Sequence, residues 1–287
     1  MIFSIVVILK LPKESLTVVF AFTNGLLDED LKLSNLSGGV KYGKGIVQEA
    51  EVTGLLAGVH PVKYTVTPEG AAERRVSFWA EDAGMLLKAM DIYDDGQGGT
   101  IQLSAKMTND PISENMKGQL KIEELKVHKA PVLGKILTIG SLTGIVELLQ
   151  NDGMTFASIE GPFTYKDGVI ETKDFRAVGA IGLTFTGKMD QNLGQTEGFG
   201  TVIPAYTLNS ILGNIPLLGR LLVGREGEGI FGFSYKLSGK SDDPDVFVNP
   251  VSALAPGILR RMFFEPWGDA DASTPPPNTK KEPSAQP

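Results

Sequence analysis

The chain contains no cysteine in its 287 residues, so disulfides, thiolate catalysis and cysteine-ligated zinc are excluded. It has only two histidines, His60 and His128, and neither has a histidine or carboxylate at metal-ligand spacing. A histidine-based triad would have to use one of these two, and structural or surface roles suit them better. Excess positive charge is also missing: 27 Lys and Arg stand against 34 Asp and Glu, for a net charge of -7. Nucleic acid is therefore not expected as a partner, because non-specific binding needs a basic face. No clean apolar run reaches the ~20 residues of a membrane-spanning helix. Residues 2–9 are apolar apart from Ser4, but they lack the basic start and small-residue cleavage site of a signal peptide. They read as a β-strand entering a sheet.

Glycine is plentiful, at 34 residues, and proline stands at 17, which indicates many turns between short strands. Residues 17–23 (TVVFAFT) are β-branched and aromatic, and Asn24-Gly25 after them reads as a turn. Strand-like segments follow, with Gly38-Gly39 as a break and residues 68–70 (PEG) as a turn before the returning strand at 74–80. The period changes at 81–92, where Met85, Leu86, Ala89 and Met90 recur at helical spacing behind Asp82, a candidate N-cap. Residues 94–99 read as a loop. Residues 100–108 then alternate cleanly, with Ile101, Leu103, Ala105 and Met107 on one face. A further strand spans 118–127, interrupted around Glu123-Glu124.

Residues 130–150 form the first long apolar segment, read as a buried or amphipathic helix broken near Gly140 and ended at 151–153. Residues 163–172 make a hairpin, because Asp167-Gly168 suits a type I′ turn. Residues 183–189 pair next. A second apolar helix is expected at 205–223, kinked at Pro216. Residues 267–287 are polar and proline-rich and read as a disordered tail.

No motif for chemistry survives inspection. Gly227, Gly229 and Gly232 match G-x-G-x-x-G, but the residues after Gly229 alternate like a strand, so no helix N-terminus can hold a pyrophosphate. Residues 39–45 (GVKYGKG) miss the P-loop spacing. Residues 140–144 (GSLTG) are out of register for a nucleophile elbow. Asp242, Asp243 and Asp245 surround Pro244 in a solvated turn, with too few ligands for calcium. Glu226 and Glu228 lack the neighbouring aromatic platform of a glycosidase. No cofactor or metal is expected.

What remains is one-sided apolar strands. Phe231, Phe233, Tyr235 and Leu237 fall on one face, with Gly232, Ser234, Lys236 and Ser238 on the other. With Ile101, Leu103, Met107, Leu183 and Phe185 they are the candidates for an apolar groove. The bland reading of such faces is core, and alternation cannot separate the two. Arg260, Arg261, Phe263 and Phe264 close a short apolar helix and are candidates for touching a bilayer and its anionic groups.

Residues 130–179, 200–239 and 243–264, closing on VNPVSALAPGILRRMFF, resemble the C-terminal domain of the AsmA-like superfamily, in its YhdP-like, TamB-related branch. Residues 76–107 resemble the segment just upstream. The resemblance implies a Gram-negative, periplasm-facing envelope protein associated with the inner membrane. It implies an elongated, curled antiparallel sheet with an apolar inner groove that carries phospholipid between inner and outer membranes and so supports outer-membrane integrity. No catalytic residue is implied. The implied partners are phospholipid, a membrane surface, other envelope proteins, and an N-terminal membrane-anchored part that this chain lacks.

The expectation is thus a mainly β protein with a few helices, its curled sheet covered or capped by amphipathic helices. Residues 1–129 form a β-rich segment with one helix, 130–266 the AsmA-like region, and 267–287 the tail. The first functional reading is non-enzymatic lipid transfer. The alternative is an envelope scaffold acting by protein contacts, for which a filled interior would speak. An enzyme, such as a glycosidase or esterase, ranks last.

Overall fold

A computed structural model describes residues 15–26, 32–112, 115–140, 142–204 and 230–254. The expected strand at 2–9, the helix at 205–223, the segment carrying Arg260, Arg261, Phe263 and Phe264, and the tail all lie outside the described residues.

The described residues are mainly β, in a single antiparallel sheet of 14 strands that curls without closing. Five strands come first: β1 (Ser15–Leu26), β2 (Lys32–Gly43), β3 (Ile46–Leu56), β4 (His60–Glu69) and β5 (Glu73–Ala80). Helix α1 (Ala83–Ala89) and the two-residue β6 (Gly96–Gln97) precede β7 (Thr100–Thr108) and β8 (Asn115–Val127). Helices α2 (Pro131–Ile139) and α3 (Thr143–Asn151) separate β8 from β9 (Met154–Lys166). The sheet finishes with β10 (Val169–Gly179), β11 (Ile181–Asp190), β12 (Gln195–Pro204), β13 (Ile230–Lys240) and β14 (Asp245–Leu254). Apart from β6, which pairs with β8, each strand lies beside its predecessor. Because β8 pairs with β9, the sheet continues across residue 130.

Local chemistry explains most of the boundaries. Asp82 caps α1, its Oδ1 accepting from the Met85 amide at 2.8 Å. Pro131 opens α2, where a missing N–H costs nothing. The helical segment divides at Gly140, the C-cap of α2, where the ring of Phe233 occupies the space that a Cβ would need. Asp167 and Gly168 both take positive φ, 49° and 87°, as a type I′ turn requires. Glu124 has φ 55°, which marks the irregularity expected inside β8. Pro250 falls in β14, the last strand of the described sheet, and strand prolines are tolerated at such edge positions.

Three sequence expectations are corrected. Asn24-Gly25 is not a turn: β1 runs through it, with Asn24 opposite Ser34 and Gly25 opposite Leu33. Gly38-Gly39 does not break β2, for Gly38 faces Phe20 on one side and Val52 on the other. A Cβ at Gly38 would stand 2.1 Å from the Glu51 carbonyl oxygen, so close strand approach explains this glycine. The loop at 94–99 contains β6, which pairs Gly96 with Val127.

Register defines the faces. Val62, Ala80, Ile101, Ile122, Ile159, Ala177, Leu183, Val202 and Phe233 are successive cross-strand partners from β4 to β13. One apolar row therefore crosses the sheet, and the curl folds it around α1, α2 and α3. The main core cluster joins Leu56 of β3 to Val248 of β14 through Leu86, Ile136, Leu137 and Leu149 of the helices. A smaller cluster of Ala50, Val66 and Val76 lies further along β3, β4 and β5. Full burial of each large aliphatic or aromatic side chain is worth about 1.5–3 kcal/mol, which makes this face the main source of stability.

Candidate functional site

The groove candidates share a face, as their alternation implied, but they differ in what covers them. Ile101, Phe233 and Tyr235 are 7%, 5% and 2% exposed and belong to the main core cluster. Leu183, Phe185 and Leu237 are half-buried and pack against it. Met107 packs against the smaller cluster, and Leu103 is half-buried between Phe78 and Leu120 in its row. Phe231 pairs with Ala253 through its backbone. The structure thus divides the candidates into fully buried core at Ile101, Phe233 and Tyr235 and half-buried positions around it.

Close fitting holds the helices on the sheet. Phe233 abuts Gly140 at the end of α2, and Leu137 and Leu149 are fully buried. Phe185 lies over Gly187 and Gly198 of neighbouring strands, where a Cβ at Gly198 would come within 2.4 Å of its ring. Tyr235 donates its hydroxyl to the Thr184 carbonyl at 2.7 Å, and burial pushes its phenol well above the ordinary range. Lys135 of α2 pairs with Asp243 in the β13–β14 turn and holds that carboxyl below its usual range. On α1's side, the Tyr93 hydroxyl donates to the His128 carbonyl.

The opposite face is polar and laced with cross-strand ion pairs. Lys41 meets Glu49 at 3.3 Å, Lys63 meets Glu51 at 2.8 Å, and Lys188 meets Glu197 at 3.0 Å. Glu69 accepts from Arg75 Nε at 2.7 Å and faces Lys106 at 3.3 Å. Such exposed pairs add little stability but keep this face wet. Phe199 and Phe247 are exceptions, 57% and 68% exposed on either side of Lys236.

One charged side chain interrupts the apolar face. Arg74 is in phase with Val76, Phe78 and Ala80 along β5 and is only 6% exposed. Its Nη1 donates to the Thr108 carbonyl at 2.7 Å and to Asn109 Oδ1 at 3.0 Å, and Nη2 reaches Met107 Sδ at 3.2 Å. Sequence reading passed over it. The signal was present in residues 74–80 (RRVSFWA), where the first arginine keeps the apolar phase and the second keeps the polar one.

The described cavities do not assemble catalytic groups. One, about 980 Å3, lies on the polar face among Arg75, Lys106, Lys117, Thr164 and Lys166. Another of about 510 Å3 lies beside α1, among Asp82, Lys88, Asp95 and His128. His60 Nδ1 stands 3.4 Å from Glu81 Oε2, at the start of α1. Among the described residues, no group of three or more metal-capable side chains could hold an ion. Among them too, no helix is long and apolar enough to cross a membrane. Comparison with family models, curated proteins and solved structures gives no match, so the functional reading rests on the geometry and the sequence.

Proposed function

We propose that this protein is a non-enzymatic, periplasm-facing envelope protein that assists phospholipid transfer between inner and outer membranes. The observation that carries the reading is an open sheet with one apolar face, on which the row from Val62 to Phe233 is packed under the helices while Leu103 and Met107 on the same face are only half-buried. An acyl chain crossing water costs about 25 cal/mol per Å² of exposed apolar surface, and a continuous apolar strip removes that cost along its route. A sheet can present water to one side and lipid to the other, and the ion pairs of the polar face fit that division. The AsmA-like resemblance supports the envelope, the inner-membrane association and a contribution to outer-membrane integrity.

The test is native mass spectrometry of protein purified from bacterial envelopes, with lipid extraction of the same sample. Phospholipid should co-purify and be lost in Leu103→Asp and Met107→Asp proteins that keep the wild-type circular dichroism. These positions are preferable to Phe233, whose burial makes any charge there an unfolding substitution. A folded, lipid-free protein that also refuses added phospholipid would sink the proposal. Scaffolding by protein contacts would then be the better account, and one observation favours it: the helices fill the interior over Phe233 and Tyr235.

A further inference from the structure

The buried guanidinium of Arg74 has no counter-ion among the described residues. Its hydrogen bonds go to a carbonyl, a carboxamide oxygen and a thioether, all neutral acceptors. Glu69 and Glu73, on the neighbouring β4 and at the start of β5, are engaged with Arg75 and Lys106 on the polar face instead. Desolvating a charge without an opposite one is costly, and buried arginines are normally paired. Here both Nη1 hydrogens and one Nη2 hydrogen are committed, while Nε and the remaining Nη2 hydrogen have no acceptor among the described residues. Those two donors form one edge of the planar fork, the edge that grips two oxygens of a phosphate or carboxylate at once.

The fork is held rather than loose. Asn109 is itself fixed, its amide donating to the Ala72 carbonyl at 2.8 Å and its Nδ2 to the Ala71 carbonyl at 3.1 Å, so that Oδ1 faces Arg74. Tyr64 lies close enough to feel the positive charge. Arg74 sits six residues from Ala80, the end of β5, which is ~20 Å along the strand. The adjoining cross-strand row of Met107, Met116, Tyr165 and Ile170 is only half-buried. A fixed cation thus terminates an apolar strip that is partly open beside it.

We propose that Arg74 is an anion-recognition residue for a phosphate group, with Asn109 as its positioning residue. On the lipid-transfer reading, on which this rests, the phosphate is that of a phospholipid headgroup whose acyl chains lie along the half-buried row of Met107, Met116, Tyr165 and Ile170. A bidentate, charge-assisted contact in such surroundings is worth about tenfold to a hundredfold in affinity.

The experiment is calorimetric titration of the full chain with dihexanoylphosphatidylglycerol and with dihexanoylglycerol, which has the same chains but no phosphate. Inorganic phosphate is titrated separately, with the melting temperature as readout. Wild-type protein should prefer the phospholipid by about tenfold or more. Arg74→Gln should abolish the preference while leaving dihexanoylglycerol binding unchanged, and Arg74→Lys, which keeps charge without the fork, should fall between. Equal binding of both lipids by the wild type, or a preference that survives Arg74→Gln, overturns the site and leaves the apolar strip standing. If neither lipid binds but phosphate raises the melting temperature of wild type and not of Arg74→Gln, the site is a free-phosphate site and the lipid reading falls. Silence toward lipids and phosphate alike overturns both. Should Arg74→Gln not fold, Asn109→Ala carries the test: it keeps the charge, frees its orientation, and should cut the preference several-fold.

Discussion

If α2 is seated on the sheet as described, removing its anchor must cost the whole molecule. Leu137 is fully buried, with no exposed surface, in the cluster that contains Phe233 and Val248. Leu137→Ala removes apolar atoms worth about 2 kcal/mol in transfer alone. The hole left behind adds to that, so the expected loss is about 3 kcal/mol, within the ~2–5 kcal/mol found for buried leucines. Ile139, on the same helix but 49% exposed, is the internal control, and Ile139→Ala should change stability by under ~0.5 kcal/mol. In a chain of this size the leucine variant should melt about 5 °C or more below wild type. Urea unfolding followed by circular dichroism, backed by calorimetry, gives both numbers. Equal and small effects at the two positions would refute the packing of α2 against the curl, and the filled interior with it.

Two further outcomes follow from the same geometry. Burial, aided by the charge of Asp95, pushes the Tyr93 phenol up to about 12. The folded state therefore keeps this proton while the unfolded chain loses it near pH 10, so the stability it contributes is complete below pH 10 and drains away as pH rises toward 12; Tyr93→Phe should flatten that alkaline decline in urea midpoints, and an unchanged slope would refute the assignment. Asp82→Ala should cost about 1 kcal/mol through the lost α1 cap, and hydrogen exchange should show the Met85 amide losing protection ahead of the sheet.

Much of this fold could be read from residue order because its signals are local. Alternation at 100–108 gives β7 directly, Asp167-Gly168 gives the β9–β10 turn, and Asp82 gives the start of α1. The break at Gly140 was legible as a weak point, though the ring of Phe233, 93 residues away, which leaves room only for glycine there, was not. Asn24-Gly25 and Gly38-Gly39 misled because a turn dipeptide states only what the backbone tolerates, while continued pairing of β1 with β2 decides what it does. The site was legible as a face and no further. Period two places Ile101, Leu103 and Tyr235 together, but only the third dimension separates those beneath a helix from those beside open sheet. Arg74 escaped because a single charge in an apolar phase looks like noise until its burial and its neutral partners are seen.

The strand order has a consequence of its own. A meander in which almost every strand pairs with the one before it is close to a one-dimensional array, in which each unit interacts mainly with its nearest neighbours. Such a chain needs few distant contacts to begin folding, so strands can be added in the order in which they are synthesised. Opening should start at the β1 edge and travel inward until it meets the helices. Among the described residues, α2 ties the β13–β14 end to the middle of the chain through Lys135 and Asp243, and there the ladder becomes a loop. That closure would make the strands that share the main core behave as one cooperative block, while β1 could fray from the edge.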